Sequence, residues 1–133
     1  MKQTEPRRGS AMLESALSMT LLLTLVFGIV EFGLASWTYA QTAYLANEGA
    51  RYSMVRGGAS ANPVDSAAVS SYVKSLAQGL DPNGLTVTAA WSPDNAPGGV
   101  VTVRVLTAFS FHTPFMPGNS LSLSSTAKMT IAE

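Results

Sequence analysis

Glu14 stands at the mouth of a long apolar run, and five residues before it lies Gly9, preceded by Arg7 and Arg8. A carboxylate at the centre of a membrane helix costs about 2.5–3.5 kcal/mol, and less near the interface. Position lowers that cost here. Glu14 falls in the first turn or two of the predicted helix, where the macrodipole favours an anion, and the two arginines are near in sequence. On those grounds alone it is an ordinary interfacial acid. The spacing offers a second chemistry. Were the chain cut after Gly9, Ser10 would become the amino terminus and Glu14 the fifth residue of what remains. A free α-amine and a carboxylate buried in a helix bundle neutralise each other between subunits staggered by about one turn. Such a pair is tolerable when matched and costly when mismatched, which makes it a register device.

Few other residues point to chemistry. The chain has no cysteine, which excludes disulfides, thiolate metal sites and cysteine nucleophiles. His112 is the sole histidine and sits in a Pro/Phe loop, so a histidine triad or metal cluster would need a second chain. Asp65, Asp81 and Asp94 lie beside turn or cap residues, where aspartate serves the backbone, and their spacing fits no calcium loop. Phe111, Phe115 and Met116 read as local packing of that same loop, with a partner-binding tip as the alternative. We therefore expect no catalytic residue, metal, cofactor or small-molecule substrate. Eight basic and eight acidic residues balance to zero, and nothing marks a nucleic-acid binder. The balance is uneven along the chain: Lys2, Arg7 and Arg8 oppose only Glu5 in the first nine residues, and the rest carries a formal −2.

The elements that would position Glu14 follow from hydropathy. Ser15 to Val30 is uncharged over sixteen residues, whereas a hydrocarbon core of about 30 Å needs roughly 20 residues at 1.5 Å each. The span must therefore take in Glu14 or Glu31, or thin the bilayer. A membrane segment of about 14–37 ends at Trp37, an interfacial aromatic. The basic leader, residues 1–9, is expected in the cytoplasm and everything after Trp37 outside. No proline occurs between Arg7 and Asn62, and the helical pattern continues past the membrane. Leu34, Trp37, Tyr44, Leu45, Tyr52 and Val55 recur at helical spacing, Glu48 and Arg51 stand three apart, and Gly57 and Gly58 are stop signals. We expect one helix over about 10–58. Ala16, Thr20, Thr24 and Gly28 recur every fourth residue, a ridge of small side chains that lets helices approach closely in lipid.

Residues 62–133 read as an extracytoplasmic α+β domain. Asn62 and Pro63 suit the start of a second helix, Val64, Ala68, Val69, Tyr72, Val73 and Leu76 its apolar face, and Gly79 its end. The period then becomes two. Leu85, Val87, Ala89 and Trp91 share one side; Val101, Val103, Val105 and Phe109 another, opposite Thr102, Arg104 and Ala108; Leu121, Leu123, Met129 and Ile131 a third. Three strands with short connections predict an antiparallel meander, one face packed on the second helix and the outer part of the first. That core is small, so neighbouring subunits are expected to cover part of it.

The ordered segment "RRGSAMLESALSMTLLLTLVFGIVEFGLASWTYAQTAYLANEGARYS" resembles the N-terminal part of TadE-like pseudopilins of the tight-adherence (Flp-type, type IVb) pilus system. It has the basic pair, glycine, glutamate, apolar run, "GIVEFG" end and a continuation like the family's "AREGAR". The resemblance implies a minor pseudopilin cut by a prepilin peptidase at the cytoplasmic face of the bacterial inner membrane, with Gly9 before the cut, Ser10 as new terminus and Glu14 as assembly glutamate. Its partners would be that peptidase, other pilins and pseudopilins, the pilus assembly machinery and inner-membrane lipid. Ser15 replaces the aromatic that often follows the glutamate, and Thr20 stands where many relatives have proline, which predicts a straighter helix. Two readings compete: a secreted domain released by a cut after Thr38-Tyr39-Ala40, and an uncleaved signal-anchored envelope protein.

Overall fold

The computed structural model describes residues 6–112 and 118–132, with side chains described from Gly9 onward. The order is helix α1 (Pro6–Met54), helix α2 (Ser66–Ser75), a short 3-10 turn (Pro82–Gly84), and strands β1 (Thr86–Ser92), β2 (Val100–Ser110) and β3 (Ser120–Thr130). The strands form one antiparallel sheet in the order β1-β2-β3, the meander expected from the alternation, and the class is α+β. Lys2 and Glu5, the side chains of Arg7 and Arg8, and Phe115 and Met116 lie outside the described residues.

One face of the sheet packs on α2 and on the C-terminal half of α1. The core there joins Leu45, Ala46, Ala50, Val69, Val73, Leu85, Val101, Val103, Val105, Ala127 and Ile131. The central strand follows its predicted alternation, with Val101, Val103, Val105 and Phe109 buried, and Thr107 joins them on the same face.

The face that α1 turns to this core differs from the one its large side chains predict. Leu34, Trp37, Tyr44 and Val55 are exposed, Tyr52 is partly covered, and only Leu45 of that set is buried. The packed stripe is instead Thr38, Thr42, Leu45, Ala46, Gly49, Ala50 and Ser53. The reason is close approach. A Cβ on Gly49 would lie 2.7 Å from Val73 Cγ2 and 3.0 Å from Val103 Cγ1, so helix, helix and strand meet with no room for a side chain. Thr38, Thr42 and Ser53 enter this interface because each hydroxyl donates to the carbonyl four residues back, which removes the penalty for an unpaired buried donor.

Helix boundaries also move. α1 stops at Met54, short of the Gly57–Gly58 pair, where the Met54 carbonyl accepts the Ala132 N–H beyond β3 at 3.0 Å. α2 begins at Ser66, later than Asn62 and Pro63 predict. Val64 N–H is tied to the Arg56 carbonyl at 3.1 Å, and Asp65 is the N-cap, its Oδ1 accepting the Ala68 N–H at 2.7 Å. α2 ends at Ser75 with Leu76 as C-cap. Gly79 carries the turn that follows at φ +74°, where a Cβ would meet the Trp37 ring at 2.7 Å.

Candidate functional site

α1 runs without a break through the Gly9–Ser10 bond. Because the helix starts at Pro6, Glu14 sits in its third turn in the uncut chain, deeper than the first turn or two expected. Ser10 and Glu14 are four residues apart on one helix face, and both are exposed. Among the described residues Glu14 has no hydrogen bond or ion pair; the single salt bridge found joins Arg51 to Glu48 at 3.9 Å.

Every residue from Gly9 to Val30 is exposed. The arm includes Met12, Leu13, Leu17, Leu21, Leu22 and Phe27, apolar surface that no part of its own chain covers. It is long and apolar enough to cross a membrane. Along the ridge, Thr20 Oγ1 donates to the Ala16 carbonyl and Thr24 Oγ1 to the Thr20 carbonyl, each at 2.8 Å. Ridge hydroxyls bonded within the helix present methyl groups outward and are compatible with lipid or a second helix. Gly28 has open space where a Cβ would be, so nothing within the chain requires glycine there.

A second carboxylate is sequestered where the arm meets the domain. Glu31 is 9% exposed, and its Oε1 accepts the His112 backbone N–H at 2.8 Å, a contact across 81 residues of sequence. Its Oε2 is buried with no hydrogen-bond partner among the described residues. Around it a groove of about 670 Å³ runs between α1 and the described part of the β2–β3 hairpin, walled by Thr24, Phe27, Gly28, Phe32, Phe111, Leu121 and Leu123. Phe111 packs edge-on against Phe109 at 5.4 Å, which fixes one wall.

Sequence reasoning reached Glu14 and the ridge but treated Glu31 only as an interruption. A signal was there: Glu31 is the sole charged residue between Glu14 and Glu48. A lone charge in such a run is normally turned toward protein. His112, expected as a bland loop residue, contributes its backbone and not its ring. The three aspartates serve the backbone as expected: beside the Asp65 cap, Asp81 Oδ1 accepts Asn83 N–H at 3.0 Å and Asp94 Oδ1 accepts Ala96 N–H at 3.1 Å.

Compared with known proteins, residues 9–51 match the family described as TadE-like protein. No curated protein and no solved structure matches the chain. The matched segment begins at Gly9 and takes in the exposed arm, Glu31 and most of the packed half of α1. The TadE-like character read from the sequence is thus found again in residues 9–51, the helix that carries Gly9, Glu14, the small-residue ridge and Glu31.

Proposed function

We propose that this chain is a minor pseudopilin of the tight-adherence (Flp-type) pilus system, a structural assembly subunit and not an enzyme. A prepilin peptidase cuts between Gly9 and Ser10 and removes the cytoplasmic leader, residues 1–9. The processed chain is a single-pass inner-membrane protein with residues about 14–37 in lipid and the 62–133 domain in the periplasm. Its new Ser10 ammonium neutralises Glu14 of an adjoining pilin or pseudopilin. The Ala16, Thr20, Thr24 and Gly28 ridge sets the distance of closest approach between helices.

One observation carries this reading: the TadE-like match falls on a helix whose first half its own chain leaves uncovered while holding an unpaired carboxylate. An exposed apolar arm needs lipid or neighbouring helices, and an exposed acid within it needs a cation. Release by a cut after Ala40 is disfavoured by the packing. It would strip Glu31 and Thr38 from the domain, leaving the His112 N–H without its acceptor.

Sequencing the amino terminus of the native protein tests the proposal. Ser10 is expected; Gln41 or Met1 would overturn it. Glu14→Leu is expected to leave membrane insertion intact and abolish pilus assembly, read as surface pili by electron microscopy. Normal pili from that variant would remove the register role. Gly9→Trp is expected to leave the chain at full length on an immunoblot.

A further inference from the structure

The β2–β3 hairpin extends past β1. Pairing of β1 with β2 ends at Thr86↔Leu106, whereas β2 and β3 continue together through Ser110↔Ser120. This protruding finger lies against Thr24 to Tyr39 of α1, the level that the apolar run assigns to a membrane. Its own sequence is equally bare: no Asp, Glu, Lys or Arg occurs between Arg104 and Lys128.

The two bare regions are tied together at Glu31 and His112 and are of comparable length. Glu31 to Glu48 is 17 residues of helix, about 26 Å at 1.5 Å per residue. His112, bonded to Glu31, is eight residues from Arg104, six of them in β2, which alone rise about 20 Å at 3.3 Å per residue. Counted from the Glu31–His112 contact, the first charges of helix and strand are therefore reached only after a comparable length of chain. Counted the other way, Glu14 to Glu48 is about 51 Å of helix, enough for a bilayer of about 40–45 Å with its headgroup regions. The only charge inside that interval is Glu31, and the finger turns it inward while Phe32, next along the helix, is 74% exposed.

From this juxtaposition we infer that the part of the β2–β3 hairpin beyond β1, residues 107–111 and 120–123, is a second membrane contact. It sits in the leaflet nearest the domain, with phospholipid acyl chains filling the groove beside Glu31. The His112 N–H binds the carboxylate away from the lipid, and this lets a sixteen-residue uncharged run extend to a full span without exposing Glu31. The occupant is lipid because the groove walls are mainly apolar, with Glu31 the one charged side chain and its Oε1 bonded to the His112 N–H, because they continue the exposed surface of the membrane arm, and because the finger brings no charge to them. The inference rests on α1 crossing a membrane and not on the cut after Gly9.

The absence of cysteine makes the test direct. Single variants Ser122→Cys on the outer face of the finger, Ala90→Cys high on β1 and Leu21→Cys in the arm, all exposed within the chain, are labelled with bimane. The full chain is reconstituted in phosphatidylcholine vesicles. Quenching by a doxyl-labelled phospholipid is compared with quenching by iodide. The Ser122 label is expected to follow Leu21, quenched by lipid and several-fold less by iodide than Ala90. Glu31→Ala is expected to raise iodide access at Ser122 and Glu31→Gln, which keeps an acceptor, to leave it low. A Ser122 label as open to iodide as Ala90 overturns the inference while a lipid-quenched Leu21 leaves the anchor standing. Shielding from iodide without lipid quenching assigns the finger to a protein neighbour and also overturns it. An arm label untouched by lipid removes the anchor itself.

Discussion

The two halves of α1 are built from one continuous helix and opposite packing rules. From Gly9 to Val30 large apolar side chains point outward on all sides and the Ser15, Thr20 and Thr24 hydroxyls bond back onto the helix. From Glu31 to Met54 the buried stripe is, apart from Glu31 and Leu45, made of small residues, and Phe32, Trp37, Tyr39 and Tyr44 face out. In the packed half smallness is explained within the chain: the sheet and α2 come so near that Gly49 has no space for a methyl group. In the arm Ala16 and Thr20 are exposed, and Thr24 and Gly28 border the groove beside the hairpin, with open space where a Gly28 Cβ would stand. Small residues therefore make a close internal contact in one half and leave open surface in the other.

The sharpest way to break this contrast is to truncate one leucine in each half. Leu45 is 1% exposed, and Leu45→Ala is expected to destabilise the domain by about 2–5 kcal/mol. Leu22→Ala, in the arm, is expected to change domain stability by no more than about 0.5 kcal/mol. Urea unfolding of the full chain in micelles, followed by tryptophan fluorescence, reads both. Equal losses would mean that the arm packs on the domain.

The glycines give a second contrast of smaller size. Gly49→Val drives a side chain into Val73 and Val103 and is expected to cost about 1–3 kcal/mol in the same unfolding assay. A Cβ at Gly28 meets no atom of the chain, and Gly28→Val is expected to leave domain stability unchanged. If the ridge reading holds, that variant instead weakens association between copies in the membrane. A Gly28 variant that both assembles normally and folds normally would remove the ridge from the account.

How much of this was legible depends on range. The β meander was readable because each strand alternates and the turns are dense in Pro and Gly; one local rule sufficed. The membrane-length helix was readable for the same reason. The face of α1 that packs was not, because Leu34, Trp37 and Tyr44 obey a helical period that lipid or water rewards as readily as a core does. The Glu31–His112 contact was beyond local rules, since it joins residues 81 apart through a backbone donor that no residue type announces. Asp65 shows the intermediate case. Asn62 and Pro63 were credible starters by type, and the cap lay three residues further on because Val64 is held back by the Arg56 carbonyl.

That cap supplies the next test. Asp65→Ala removes the acceptor for the Ala68 N–H at the entrance of α2 and is expected to cost about 1 kcal/mol. Asn62→Ala, at the position the sequence favoured, is expected to cost a few tenths at most, as for other exposed substitutions. A reversed ranking would shift the helix start back to Asn62. Because α2 packs on α1 through the Tyr52–Tyr72 stack, 4.0 Å between ring centres, Asp65→Ala is also expected to raise hydrogen exchange there before the sheet opens.

The smallest effect belongs to the one ion pair among the described residues. Arg51 is 67% exposed at its side chain and reaches Glu48 at 3.9 Å, the outer limit of a salt bridge. A three-residue spacing on a helix surface contributes about 0.2–0.5 kcal/mol, and at 1 M salt, where screening acts over about 3 Å, it should vanish. Arg51→Ala is therefore expected to lower stability by no more than that in dilute buffer and by nothing measurable at high salt. This makes the pair a gauge of its surroundings as well as a stability term. Glu48 is the first charge on α1 beyond Glu31, so if the hairpin finger marks the depth of the lipid, this pair stands in water when the chain is in vesicles. The salt sensitivity should then be the same in vesicles as in micelles. A loss above about 1 kcal/mol that salt does not screen would put Glu48 and Arg51 below the water line and the membrane boundary higher on the domain than Trp37.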